Sequence, residues 1–152
     1  MISFVTGIVS DRSIRAGASI TRVRKTALIA GSVIVSSSLA VAAIGSTSVA
    51  VACLFCTAVG FGLGSPNLYA VGQTLAGPRA AGKWMGVQNC VANLAGVIAP
   101  IVTGYVVDRT GQFFWPFLVA AAVALMGTVA WGLIIPRVAP IEWGGTSRDR
   151  SS

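Results

Sequence analysis

The sequence carries little charge and contains no histidine. Only 10% of its 152 residues are Asp, Glu, Lys or Arg, whereas 55% are hydrophobic and the mean hydropathy is +0.81. A soluble domain of this size carries about 25% charged residues. Because too few polar side chains are present to cover a water-facing surface, the composition excludes an ordinary soluble domain. It predicts an integral membrane protein embedded in a lipid bilayer.

The missing residue types also exclude several functions. Without histidine, and with no acidic residue inside the apolar stretches, the chain has no acid–base or nucleophilic centre. Cys53 and Cys56 form a C-x-x-C spacing, but no second ligand pair accompanies it, so we interpret the cysteines as packing residues. The eleven basic residues do not alternate with aromatic ones, as they would in a nucleic-acid-binding surface. We therefore predict no enzyme, metal site, cofactor or nucleic-acid partner.

Long uncharged stretches define the predicted membrane spans. They run from Thr26 to Pro78, from Trp84 to Val107 and from Thr110 to Pro136. A transmembrane helix needs about 20 mostly apolar residues, so the first stretch accommodates two helices, divided by a turn at 45–48. The fold class is thus an all-α membrane protein, a transmembrane helix bundle. Its membrane domain, residues 1–136, comprises a partial helix at 1–10 and spans at about 26–44, 49–75, 84–107 and 112–135, followed by a polar tail at 137–152.

The loop charges orient these spans. All basic residues except Arg109 fall in the segment 11–25, in the segment 76–83 or in the tail, and these three lie on one side of an alternating four-span path. The positive-inside rule makes that side cytoplasmic. We therefore predict a multi-pass protein of the cell membrane (plasma or bacterial inner membrane) with a cytoplasmic C-terminus.

The second span contains a helix-breaking sequence followed by a polar face. Its residues 60–67 read Gly-Phe-Gly-Leu-Gly-Ser-Pro-Asn, and Pro66 predicts a kink or break because it lacks an N–H group. Ser65, Tyr69 and Gln73 follow at intervals of four, so they share one helix face. Interrupted helices line substrate sites in transporters, but polar residues in spans also bond neighbouring helices. The sequence leaves both interpretations open.

The third span carries a polar stripe. Asn89, Asn93, Gly96 and Pro100 share a face, and Gln88 lies beside it. Carboxamides inside a membrane need partners, either on a neighbouring helix or in a water-filled cavity. We favour the cavity for Asn89 and leave both possibilities open for Asn93.

Two motifs resemble those of the major facilitator superfamily. The first is the loop Gly7, Ser10-Asp11-Arg12, Arg15, Gly17 and Arg22 to Lys25, in the longer form typical of that family's anion:cation symporter branch. The second is similar to the eleventh helix of the same branch and comprises Gly82, Gly86, Asn89, Asn93, Gly96, Pro100 and Gly104. Together they cover nearly the whole chain as the end of helix eight through helix twelve.

The resemblance implies a partial C-terminal half of a twelve-helix secondary transporter. Such proteins carry small organic anions, carboxylates or sugar acids, by alternating access, with a proton or sodium as coupling ion. Asn89 matches a substrate-contacting position, and the resemblance places Ser65, Asn67 and Tyr69 in the lining of helix ten. With Asn93 and Gln73 these are the candidate substrate-binding residues. Gly7, Asp11, Arg12 and Arg15 form a conformational loop that latches helices on the cytoplasmic side.

The chain is far shorter than a complete member of that family. We therefore expect a fragment or truncated product that requires the missing N-terminal transporter half, which would also supply a cationic group for the anion. The alternative from a different class is a small autonomous four-span protein that acts as a structural or partner-binding subunit.

Overall fold

Four helices account for nearly all of the described chain. The computed structural model describes residues 2–133 and 138–139, and no β-strand occurs among them. The helices are α1 (Ile2–Arg15), α2 (Ile20–Ile44), α3 (Thr47–Thr110) and α4 (Phe114–Leu133). The last three are long and apolar enough to cross a membrane. The predicted tail, residues 137–152, lies outside the described residues apart from 138–139.

The connection between α1 and α2 is much shorter than the basic segment 11–25 in which the sequence placed it. Residues 11–25 read as a polar loop, yet α1 continues to Arg15 and α2 already begins at Ile20. Arg and Lys are good helix formers, so a run of them does not end a helix. Their charges indicate instead where the chain reaches the membrane surface. The reversal falls at Gly17, whose φ of 97° is costly for any other residue type.

Helix α3 is two helices joined at a single residue. A straight helix of its 64 residues would be about 96 Å long, far more than a bilayer core of about 30 Å. Gly77, with φ 68° and ψ 169°, interrupts it and is followed by Pro78. We refer to residues 47–76 as α3a and to residues 78–110 as α3b. Pro66, predicted to kink or break the helix, lies inside it with helical backbone angles, and the break is at Gly77.

Helices α2 and α3a cross at glycines. A Cβ atom on Gly31 would lie 2.7 Å from the carbonyl oxygen of Gly60 and 3.1 Å from the backbone nitrogen of Gly64. The two backbones therefore touch, as expected for glycines four residues apart on a membrane helix. Beside this crossing, fully buried Val71 packs with Leu28 and Val138.

Helix α4 packs on the other side of α2. Ala121 is buried against Val35 and Leu39, and Phe117 and Ala124 border this cluster. At the far end, the Lys25 ammonium donates a hydrogen bond of 2.8 Å to the carbonyl oxygen of Gly132 in the last turn of α4. This bond satisfies a carbonyl at the negative end of the helix dipole. Helix α2 is thus the centre on which α3a and α4 assemble.

Candidate functional site

The polar residues of α3a and α3b lie in a helical hairpin. The Cβ position of Gly72 lies 3.1 Å from Gln88 Oε1, 3.4 Å from Met85 Sδ and 3.6 Å from Trp84 Nε1. In one straight helix, Gly72 and Gln88 would be about 24 Å apart. Farther from the break, Phe61 and Ala95 line the same cavity. The two helices therefore run antiparallel, and the missing side chain at Gly72 makes room for three side chains of α3b.

The hairpin turns Gln73 and Asn89 to the same side. Each follows a residue of the Gly72–Gln88 contact by one position, so each side chain is rotated by about 100° from the line that joins the helices. Antiparallel helices rotate in opposite senses when viewed along one axis, and both rotations therefore end on one side of the pair. Tyr69, three residues before Gly72, points to that side as well. We call this side the polar face.

The antiparallel register also fixes which residues lie at the same depth. Gly72 faces the turn of α3b around Met85. Tyr69 lies about one turn before Gly72 on α3a, and Asn89 lies about one turn after Met85 on α3b, so the two residues are level. One further turn along each helix makes Ser65 level with Asn93. The two polar stripes that the sequence showed on separate spans are therefore brought together.

Hydrogen bonding divides these residues into two groups. The Ser65 hydroxyl donates to the Phe61 carbonyl at 2.6 Å, and the Asn93 amide donates to the Asn89 carbonyl at 2.8 Å. Both are thus held against their own helices. Ser65 keeps only acceptor capacity, whereas Asn93 keeps its amide oxygen and one of its two N–H donors. The side chains of Tyr69, Gln73 and Asn89 are exposed, and within the described part of the chain they have no hydrogen-bond partner. They are the groups that are free to bind a ligand.

Asn67 does not join this face. It follows Ser65 by two residues, a rotation of about 200°, and its side chain is buried with only 2% exposure. Its amide nitrogen lies 3.3 Å from the Leu63 carbonyl of its own helix. Asn67 thus belongs to the side of α3a that packs within the bundle.

Gln88 is a site neighbour that the sequence did not place in the candidate set. Its Oε1 atom is buried without a hydrogen-bond donor among the described residues, between α3a and α3b. A buried amide oxygen without a donor is costly. In the sequence, its position next to Asn89 was the one feature that could have marked Gln88 as a candidate. The contact with Gly72 shows that Gln88 lies inside the hairpin.

A weak ion pair joins α1 to α2 within the basic segment 11–25. Arg24 Nη2 lies 4.0 Å from Asp11 Oδ1, and the two side chains are 16% and 59% exposed. Arg12 and Arg15 lie exposed in the last turn of α1, and Gly7 lies close to Pro66. Arg24 Nε is buried without an acceptor among the described residues. The partner of Asp11 is thus a residue of α2, not one of the arginines in its own helix.

Comparisons with known proteins point in one direction. The sequence model of the Major Facilitator Superfamily matches residues 1–151. The chloroplastic ascorbate transporter of Arabidopsis thaliana is 33% identical over 85% of this chain and 24% of its own length. The D-galactonate transporter of Escherichia coli O6:H1 is 32% identical over 86% of the chain and 30% of its own length. A hexuronate transporter of Bacillus subtilis is 37% identical over 48% of the chain and 17% of its own length. The chain therefore spans less than a third of the length of these relatives.

Proposed function

Because the chain belongs to the Major Facilitator Superfamily, we propose that it forms part of a secondary transporter that moves a small organic anion across a membrane by alternating access. Its relatives are named as transporters of ascorbate, hexuronate and D-galactonate, at roughly a third identity. The single observation that carries the site assignment is the hairpin, which brings Tyr69 and Asn89 to one face at the same depth.

The chemistry of the polar face favours a sugar acid as the substrate. Tyr69, Gln73 and Asn89 are neutral and offer both donors and acceptors. A sugar hydroxyl can pair with either kind of group, whereas a carboxylate only accepts and is disfavoured by acceptor oxygens. The Ser65 hydroxyl, whose donor is engaged, adds a further acceptor, and Asn93 adds its amide oxygen and one N–H donor. We propose that this face binds the hydroxyl groups of the substrate.

The anionic end of the substrate and the coupling ion require groups that this segment does not contribute. No charged residue occurs between Thr26 and Pro78 or between Trp84 and Val107. We propose that the N-terminal half of the transporter supplies the cationic group and the site for the proton or sodium ion. In this arrangement the two halves enclose the substrate between them.

The remaining assignments concern location and conformational change. We propose a cell membrane location with the loop 16–19, the break at Gly77 and the C-terminus on the cytoplasmic side, because the basic residues cluster there. Gly7, Asp11, Arg12 and Arg15 would latch helices in one state of the cycle. The Asp11–Arg24 pair is long and its carboxylate is exposed, so it can break without a large cost.

The function can be tested by completing the chain with a relative. The part of the E. coli D-galactonate transporter that this chain does not match is expressed as a separate polypeptide in cells without galactonate uptake. The chain is co-expressed with it, and uptake of labelled D-galactonate and labelled phosphate is measured. The relative's own C-terminal segment serves as the positive control.

We expect galactonate uptake from the pair and none from either polypeptide alone. Uptake of phosphate with equal efficiency would overturn the sugar-acid assignment. Uptake with the relative's own segment but not with this chain would contradict the transport proposal and favour a structural subunit.

A further inference from the structure

Three prolines lie inside α3, and each removes one backbone hydrogen bond from the helix. Proline has no N–H group, so the carbonyl four residues earlier loses its usual partner. Pro66 and Pro100 lie where the backbone angles are helical, whereas Pro78 directly follows the break. The carbonyls that lose a partner inside a continuous helix are therefore those of Gly62 in α3a and Gly96 in α3b.

The two freed carbonyls have different surroundings. Gly62 is buried against α1, and a Cβ atom there would lie 2.8 Å from Ile2 Cγ2. Gly96 is exposed, and no other helix comes within 4 Å of its Cβ position. The next three residues are Val, Ile and Ala, and among the described residues no side chain donates to the Gly96 carbonyl. A carbonyl at membrane depth needs a partner, which here has to come from a ligand, from water or from another chain segment.

The Gly96 carbonyl belongs to the polar face. Gly96 follows Asn89 by seven residues, so the two lie within about 20° of each other around α3b. A helix carbonyl points along the axis toward the C-terminus, and that of Gly96 points toward Pro100, which lies on the same stripe. Gly96 is near the middle of the predicted span 84–107, and transporters bind their substrates near the bilayer midplane. The polar face therefore includes a backbone acceptor in addition to its side chains.

We infer that the Gly96 carbonyl accepts a hydrogen bond from one hydroxyl group of the sugar-acid substrate. The absence of a side chain at Gly96 lets a ligand approach the backbone closely. A carbonyl oxygen only accepts, so it pairs with a hydroxyl hydrogen and not with a carboxylate. Gly96 lies about 10 Å from Asn89 along the helix axis, so the two contact different parts of an extended substrate. This inference rests on the proposal that the polar face binds a sugar acid.

The test changes the partner of the carbonyl and the hydroxyl groups of the substrate together. Pro100→Ala restores an N–H group that pairs with the Gly96 carbonyl inside the helix. Pro66→Ala does the same for the buried Gly62 carbonyl and is the matched control. The chain is co-expressed with the unmatched part of the E. coli D-galactonate transporter. Equilibrium binding to membranes is measured for labelled D-galactonate and, by competition, for its monodeoxy and deoxyfluoro analogues.

We expect Pro100→Ala to weaken galactonate binding by about three- to tenfold, the effect of one lost hydrogen bond. At one carbon, the deoxy analogue should bind more weakly than galactonate to the unmodified chain but equally well to Pro100→Ala. The fluoro analogue at that carbon should behave like the deoxy analogue, because fluorine cannot donate. Pro100→Gly, which restores the same N–H group, should give the same pattern, and Pro66→Ala should leave the penalty at every carbon unchanged. Equal weakening of galactonate and all analogues by Pro100→Ala would indicate a structural role and overturn the inference.

Binding and uptake separate this inference from the proposed function. The expected binding pattern without any uptake would support the carbonyl contact and reject transport by this assembly. Uptake in which every deoxy penalty persists in Pro100→Ala would support transport and overturn the contact. Absence of galactonate binding to the unmodified assembly would overturn the contact together with the sugar-acid assignment.

Discussion

The crossing of α2 with α3a and the long arm α3b are made of similar residues but pack in opposite ways. At the crossing, glycine backbones touch and Val71 is completely buried. Along α3b, apolar side chains such as Val97 and Ile101 remain exposed, and glycines 96 and 104 have no neighbour within 4 Å of a Cβ position. Glycine content alone therefore does not indicate packing. The first region is packed within this chain, whereas the second leaves its apolar side chains exposed.

The largest difference between the two regions is expected when one methyl group is added at the crossing. In Gly31→Ala the new Cβ would meet the Gly60 carbonyl at 2.7 Å, and backbone cannot move aside as a flexible side chain can. We expect a loss of about 1–3 kcal/mol in the free energy of unfolding. Thermal melting of the detergent-solubilised chain measures it.

Gly96→Ala in α3b is the matched control. Open space surrounds its Cβ position, so it should be neutral or should gain up to about 1 kcal/mol from helix propensity. Equal melting temperatures for the two variants would show that the glycine crossing does not stabilise the fold.

The packed region depends on a polar contact as well. Lys25→Met keeps the length of the side chain but removes the bond to the Gly132 carbonyl. We expect a loss of about 1.5 kcal/mol, since a partly buried hydrogen bond to a charged donor is broken. Lys83→Met, at an exposed position of α3b, should change the melting temperature little. A larger effect at Lys83 than at Lys25 would contradict the role of α2 as the centre of the bundle.

Substitution of two asparagines, one in each region, distinguishes an effect on substrate binding from an effect on folding. Asn89→Ala, on the polar face, should raise the KM for galactonate uptake by about tenfold through the loss of one hydrogen bond to substrate, with unchanged protein in the membrane. Asn67→Ala, inside the bundle, should lower the melting temperature and leave the KM of the remaining protein unchanged. Uptake is measured in the completed transporter, and the reverse pattern would reject the polar face as the binding surface.

The sequence predicted some of this arrangement and could not predict the rest. Uncharged stretches locate the apolar helices, because lipid tolerates few charges. The basic residues Arg79 and Lys83 place the reversal between the predicted spans 49–75 and 84–107, and Gly77 breaks the helix there. The same reasoning could not tell that Pro66, which follows three closely spaced glycines, keeps helical backbone angles. Likewise, the four-residue spacing of Asn89 and Asn93 predicts a shared face, but which helix faces them depends on tertiary contacts.

The smallest effect is expected where the chain has least support, at the ion pair between α1 and α2. Asp11→Asn removes the negative partner of Arg24, but the 4.0 Å distance and the 59% exposure of Asp11 limit the loss to about 0.5 kcal/mol. Because salt screens the exposed Asp11 carboxylate, the difference in melting temperature from the unmodified chain should become smaller at about 1 M salt. Asp108→Asn, an exposed carboxylate near the other end of α3b, is the control at both salt concentrations. A large loss at Asp11 that persists in high salt would mean that the pair helps to hold the bundle together and that α1 belongs to the packed region.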